Sequence, residues 1–112
     1  MKGTIKVSAN GRLTKDAELS FAGDQGTPVL KFRLVANLGH GDHEYVEGVN
    51  CVVWGKRAEA LAPHLSKGQA VHIMGTPKTS SWEGDDGTRR YKTEVTVEDL
   101  DFLGGPRADE TA

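Results

Sequence analysis

Cysteine is nearly missing from this chain of 112 residues: Cys51 stands alone. A single thiol excludes an internal disulfide. In a small domain it reads as a reduced, buried, apolar side chain, which suits a cytoplasmic protein. Long hydrophobic runs are missing too. None approaches the roughly 20 apolar residues a helix needs to cross a bilayer. The N-terminal MKGTIKVSANGRL alternates too early to contain the apolar centre of a signal peptide. No phosphate-cradling glycine loop of the Walker type is present. Aromatic residues are sparse, at 6%. Charge of one sign is also lacking, since the net charge is −2. Its distribution is less even. From Glu94 onward six acids (Glu94, Glu98, Asp99, Asp101, Asp109, Glu110) face one base, Arg107. Residues 1–93 therefore hold 13 of the 14 Lys and Arg and ten of the 16 Asp and Glu, a net of +3. A mildly basic body with an acidic end permits a polyanionic partner without requiring one.

What the chain does have is period-2 alternation, the signature of half-buried strands. The length fits one domain with a modest core. Ile5, Val7 and Ala9 alternate with polar residues until Gly11, where a bulge or bend is expected. The run AELSF either continues that strand or forms a short second piece. After the turn AGDQGTP, Leu30, Phe32, Leu34 and Ala36 share one face, with Lys31, Arg33, Val35 and Asn37 on the other. A polar loop, GHGDHE, leads to a strand from Tyr45 to Trp54. In KRAEALAPHLSKG the period changes: Ala58, Leu61, Ala62 and Leu65 fall at helical spacing. Pro63 should kink or split that helix, and Lys67-Gly68 should end it. Val71 and Ile73 then point inward, and SWEGDDGTRRY forms a long hairpin tip. The last strand carries Tyr91, Thr93, Val95 and Val97 on one face. Beyond Gly104 the chain is expected to fray. Three strands, a short helix and two strands make an all-β fold. The order predicts a five-stranded Greek-key oligonucleotide-binding (OB) barrel, with one short helix between the third and fourth strands. Val29–Asn37, Val49–Val53, Val71–Ile73 and Val95–Val97 would hold its core. The domain spans 1–105, and 106–112 form a short tail.

The outward faces collect an unusual set. If Val49, Cys51 and Val53 point inward, then Asn50, Val52 and Trp54 point out. Trp82 is placed at the base of the long hairpin, with Arg89, Arg90, Tyr91 and Lys92 across it. Lys31 and Arg33 lie on the outer side of their strand, and Lys56 and Lys78 add charge. A single nucleic-acid strand needs such a mixture: indoles on which bases stack and cations that neutralise phosphates. The structural alternative for Trp54 is burial under a partner subunit or the chain's own hairpin, because large aromatics are also enriched in interfaces.

Two stretches now become specific. VVWGKRAEALAPHLSKGQAVHIMG, followed by KTSSWEGDDGTRRYKTEVTVEDLDFLGG, resembles the bacterial single-stranded DNA-binding protein family. The shared pattern is an apolar pair, an aromatic, Gly-Lys, an Ala/Glu helix, Lys-Gly, and a strand ending in Gly. A hairpin Trp and Tyr-x-Thr-Glu-Val follow. The likeness covers about residues 4 to 105. It implies an OB barrel that assembles, usually as a homotetramer, and wraps single-stranded DNA without sequence preference in replication, recombination and repair. A homodimer stays open for a short form. By this resemblance Trp54 and Trp82 stack bases, and Lys56 is the lysine after the glycine. Our reading of the strand faces adds Arg33, Lys78, Arg89 and Arg90 on phosphates, then Arg12 and Lys31, with polar or weak stacking contacts from Asn50 and His40. The chain departs from the pattern in four places. His40 and Gly48 stand where tryptophans are frequent, and Ser80 and Ser81 replace basic residues. The usual acidic-hydrophobic tip, which recruits other replication proteins in the family, is not found in GGPRADETA, which leaves recruitment by that route open.

Three rival readings remain. Primosomal replication protein N is a short dimeric relative within the same fold. A metal enzyme could use His40, Asp42, His43 and Glu44, but these crowd one loop, and no distant ligands converge on them. A pure protein-interaction domain would use the outer aromatics as its interface. The expectation is a non-enzymatic binder without cofactor or metal, cytoplasmic and nucleoid-associated. The acidic end, Glu94 to Glu110, is expected to compete weakly with DNA for the basic face.

Overall fold

The structure is a computed structural model that describes residues 1–106. Six strands form one sheet: β1 (Val7–Leu13), β2 (Glu18–Ala22), β3 (Thr27–Leu38), β4 (Tyr45–Trp54), β5 (Gln69–Glu83) and β6 (Arg89–Pro106). The spatial order is β1-β5-β6-β4-β3-β2, and β1 also pairs with β3, closing the sheet. The expected five-stranded count survives in a particular sense. β1 and β2 follow each other along one edge of β3: Arg12 and Leu13 lie opposite Val35 and Leu34, and Glu18–Ala22 lie opposite Lys31–Thr27. Together they fill the place of one strand. The interruption has a visible cause. After Thr14, whose N–H still donates to the Arg33 carbonyl, residues 15–17 turn away to bond the chain after the helix. Ala17 N–H donates to the Leu65 carbonyl at 2.9 Å, and Asp16 Oδ1 accepts from Lys67 N–H at 2.8 Å.

Gly11 does not interrupt β1 as expected. It lies inside the strand, and a Cβ there would stand 2.6 Å from the Val35 carbonyl oxygen. The glycine lets the backbones of β1 and β3 meet where the barrel closes.

The alternating residues form the core. Leu30, Phe32, Leu34, Cys51, Val53, Val71, Ile73, Val95 and Val97 are buried in one cluster. The helix segment behaves as its spacing predicts. Helix α1 (Lys56–Leu61) passes into a 3-10 turn, Ala62–His64, that contains Pro63. Ala58 and Leu65 are buried against the barrel, and Leu61 and Ala62 pack beside them.

Two expectations need correction. Strand β6 runs past Gly104 to Pro106, which lies opposite Gln69, so the described part of the stretch expected to fray is paired strand. Trp82 is not at the base of the hairpin. Strands β5 and β6 stay paired out to Glu83 and Arg89, so they project as a two-stranded arm with Trp82 near its tip. A register irregularity at Met74/Gly75 marks the region where the arm leaves the barrel. Of the expected tail, residues 107–112 lie outside the described residues.

Candidate nucleic-acid interface

The outer surfaces of β3, β4, β6 and β5 lie side by side, and strand register decides what each presents. Residues directly opposite one another share a face. Val29 lies opposite Trp54, Lys31 opposite Val52, Arg33 opposite Asn50 and Val35 opposite Gly48. Val52 also lies opposite Thr96, which lies opposite Thr76. Farther along, Lys78 faces Glu94, Ser80 faces Lys92 and Trp82 faces Arg90. One continuous outer surface therefore carries Trp54, Lys31, Arg33 and Asn50 on the barrel. On the arm it carries Lys78, Lys92, Arg90 and Trp82.

Both indoles are open. Trp54, the last residue of β4, is 50% exposed, and Trp82 is 46% exposed. Lys56 follows one turn later at the start of α1 and is exposed. The structure separates two residues that the sequence joins: Arg90 shares the face of Trp82, whereas Arg89 lies on the opposite side of the arm, across from Glu83. Tyr91 lies on that opposite side too and is highly exposed.

Arg33 spans from β3 onto β4. Its Nη1 donates to Asn50 Oδ1 at 2.9 Å, and its guanidinium lies over Gly48. Arg12 is turned another way, donating from Nη1 to the Gly68 carbonyl at 2.8 Å, which ties β1 to the turn before β5. His40 is exposed in the loop between β3 and β4, where its carbonyl accepts from His43 N–H at 3.0 Å. The length of β4, roughly 30 Å of strand, separates that loop from Trp54. The structure thus does not bring His40 and Trp54 together. Among the described residues, no group of three or more His, Cys, Asp or Glu could hold a metal ion.

Acids interrupt the cationic surface. Glu94 lies 3.7 Å from Lys31 Nζ and 3.3 Å from Lys92 Nζ. Glu98 is 2.6 Å from Lys6 Nζ and also accepts from the Thr76 hydroxyl at 2.9 Å. Those two partners, Lys6 first, hold the Glu98 carboxyl below the usual range. At the arm tip Asp86 is likewise lowered by hydrogen bonds from Thr88, and it sits 3.5 Å from Arg90 Nη2. The residue that sequence reasoning missed is Lys92, named as a neighbour but given no role. Counting by twos from Arg90 places it on the outer face. The central position of Glu94 needs the β4–β6 pairing, which no local pattern shows.

Comparison with known proteins agrees with this geometry. The model of the single-strand binding protein family matches residues 4–103. The chain is 42% identical over 108 residues to the single-stranded DNA-binding protein of Clostridium perfringens, spanning 93% of this chain and 71% of that one. It is 43% identical over 101 residues to single-stranded DNA-binding protein 3 of Clostridium acetobutylicum, spanning 88% and 69%. The structure of a Plasmodium falciparum SSB complex with ssDNA superimposes with a TM-score of 0.83 at 23% identity, covering 93% of this chain and 98% of that one. That match shows a shared fold. A family match along most of the length, supported by relatives above 40% identity, settles the membership: the chain belongs to the single-strand binding protein family.

Proposed function

We propose that the protein binds single-stranded DNA without sequence preference and shields it during replication, recombination and repair. One observation carries the reading: two half-exposed indoles, Trp54 and Trp82, on one outer surface studded with Lys and Arg. Exposed aromatics offer every base a stacking face, and the cations release counterions from the phosphates. Lys56, Lys78, Arg90 and Lys92 are the phosphate ligands best placed beside the two tryptophans, with Lys31 and Arg33 between them. Arg89, Arg12 and His40 lie off that line and belong to its margins at most. The reading is of a binding protein without catalysis, acting on the nucleoid in the cytoplasm. The primosomal replication protein N alternative is not favoured, since the matching family and the named relatives are single-strand binders.

We infer self-association as well, with a homotetramer as the expected state. β1 pairs with β3 only at Arg12 and Leu13. The edge from Val7 to Asn10 therefore borders a groove of about 560 Å³, lined by Val7, Ala9, Leu34, Val49 and His72 among others. An open strand edge beside apolar side chains is suited to pairing with a second copy. Titration with oligo-dT tests the main reading. Tryptophan fluorescence should be quenched, with affinity falling as salt rises, and the mass of the assembly gives its stoichiometry. A folded protein whose fluorescence ignores oligo-dT at low salt would overturn it.

A further inference from the structure

Arg33 and Gly48 form a unit that the phosphate role does not explain. A Cβ at position 48 would stand 2.5 Å from Arg33 Cζ and 2.8 Å from Nε, and closer still to Nη2. Cζ lies nearer than Nε, whereas an in-plane approach to the Nε–Nη2 edge would leave Cζ behind both nitrogens, so the guanidinium lays its face across the glycine. Any side chain at 48 would push that plane away. Asn50 then fixes the group within the plane through Nη1.

Lys6, Lys15, Lys31, Lys92 and Arg90 each lie beside a carboxylate. Among the described residues Arg33 is one of several cations with no carboxylate partner, Lys56 and Lys78 on the same surface among the others. A guanidinium binds phosphate through its N–H edge and a nucleobase through its flat face. Here one face rests on the β4 backbone at Gly48. The side chain is exposed, so the other face is turned to solvent. Gly48 lies on the same side of β4 as Trp54, six residues or roughly 20 Å along the strand. The outer positions between them are Val52, which is buried, and Asn50.

We propose that Arg33 is a base-stacking residue, a third platform in line with Trp54, seated by Gly48 and oriented by Asn50. This rests on the single-strand reading above. It adds that β3 lends a flat side chain to a stretch of β4 that has no aromatic of its own.

The test separates shape from charge. Arg33→Lys keeps the cation and loses the plane. It should weaken oligo-dT binding about 5- to 150-fold, the range expected for one stacked base, with the slope of log affinity against log salt unchanged. Gly48→Ala keeps Arg33 and unseats it, and should cause a loss of similar size. The double variant should be no weaker than the weaker single, since both remove one contact. Thermal melts of each variant exclude unfolding as the cause, and Arg33→Lys is the mild arm should Gly48→Ala disturb the strand. Suppose instead that Arg33→Lys binds like wild type while Arg33→Ala lowers the salt slope by about 1. Arg33 is then a phosphate counter-ion and the inference is overturned. Failure of the wild-type protein to bind oligo-dT would instead bring down the single-strand reading, and this inference with it.

Discussion

Lys31 on β3 and Glu94 on β6 meet across β4, with Nζ 3.7 Å from the carboxylate. Val52 lies on β4 between the two strands, opposite Lys31 on one side and Thr96 on the other. It is 3% exposed although it points away from the core cluster. A charged pair over an apolar side chain explains that burial: the stem of the lysine shields the valine while its head stays in water. The same acid also holds Lys92. Two cations of the proposed DNA surface thus share one internal anion.

Glu94→Gln should therefore tighten binding. Removing the carboxylate frees Lys31 and Lys92 for phosphates, so affinity for oligo-dT should rise several-fold at low salt and the salt dependence should steepen. Stability should change by no more than about 1 kcal/mol, because both lysines keep about half of their side chains in water and Glu94 is only half-buried. Fluorescence titrations at two salt concentrations check the first expectation, and urea unfolding checks the second. Unchanged affinity would mean that neither lysine touches the backbone.

Trp54→Ala should lose about 1–3 kcal/mol of binding, the worth of one stacked base, and Trp82→Ala a similar amount. Neither should unfold the barrel, since each indole is half open to solvent. Binding isotherms and melting curves measured on the same samples separate the two effects. A variant that melts early with binding intact would assign its tryptophan to packing.

Cys51 should respond to alkali. Burial pushes its thiol pKa up from 9.0 to about 12. Between those values the unfolded thiol ionises and the folded one does not. Its contribution to stability is therefore complete below pH 9 and declines as pH rises, by about 1.4 kcal/mol at pH 10. Urea midpoints for wild type and Cys51→Ala at pH 8 and pH 10 isolate this loss from that of other groups. Alkylation should be slow in the native protein and fast in denaturant, since the thiolate is the reactive form.

The barrel wall was legible because burial on one face writes itself as alternation. Leu30, Phe32 and Leu34, then Cys51 and Val53, read correctly from the period alone, and so did the outward aim of Trp54. Pro63 marked the change from α to 3-10 turns. What the period cannot show is what crosses above a face or how far a pairing runs. Val52 reads as exposed until the Lys31–Glu94 pair is placed over it. The arm reads as a loop tip because Thr79 to Thr93 carry no apolar pattern, and their pairing rests on backbone bonds. Arg89 and Arg90 read as one basic pair until the register puts them on opposite sides. Gly11 reads as a break because its reason lies in β3, at Val35. Of the six expected competitors, Glu94 and Glu98 do sit beside body lysines, Glu94 with Lys31 and Lys92 and Glu98 with Lys6, while Asp99 and Asp101 pair with no cation among the described residues. Asp109 and Glu110 lie outside the described residues.

The arm has no core of its own: from Thr79 to Thr93 none of its residues is buried. A bare two-stranded ribbon is marginal in water. On the proposed reading, a strand lying against Lys78, Lys92, Arg90 and Trp82 acts as a splint, adding from outside the stiffness that the ribbon lacks. The cargo then completes its own cradle, and the arm is straightest when loaded.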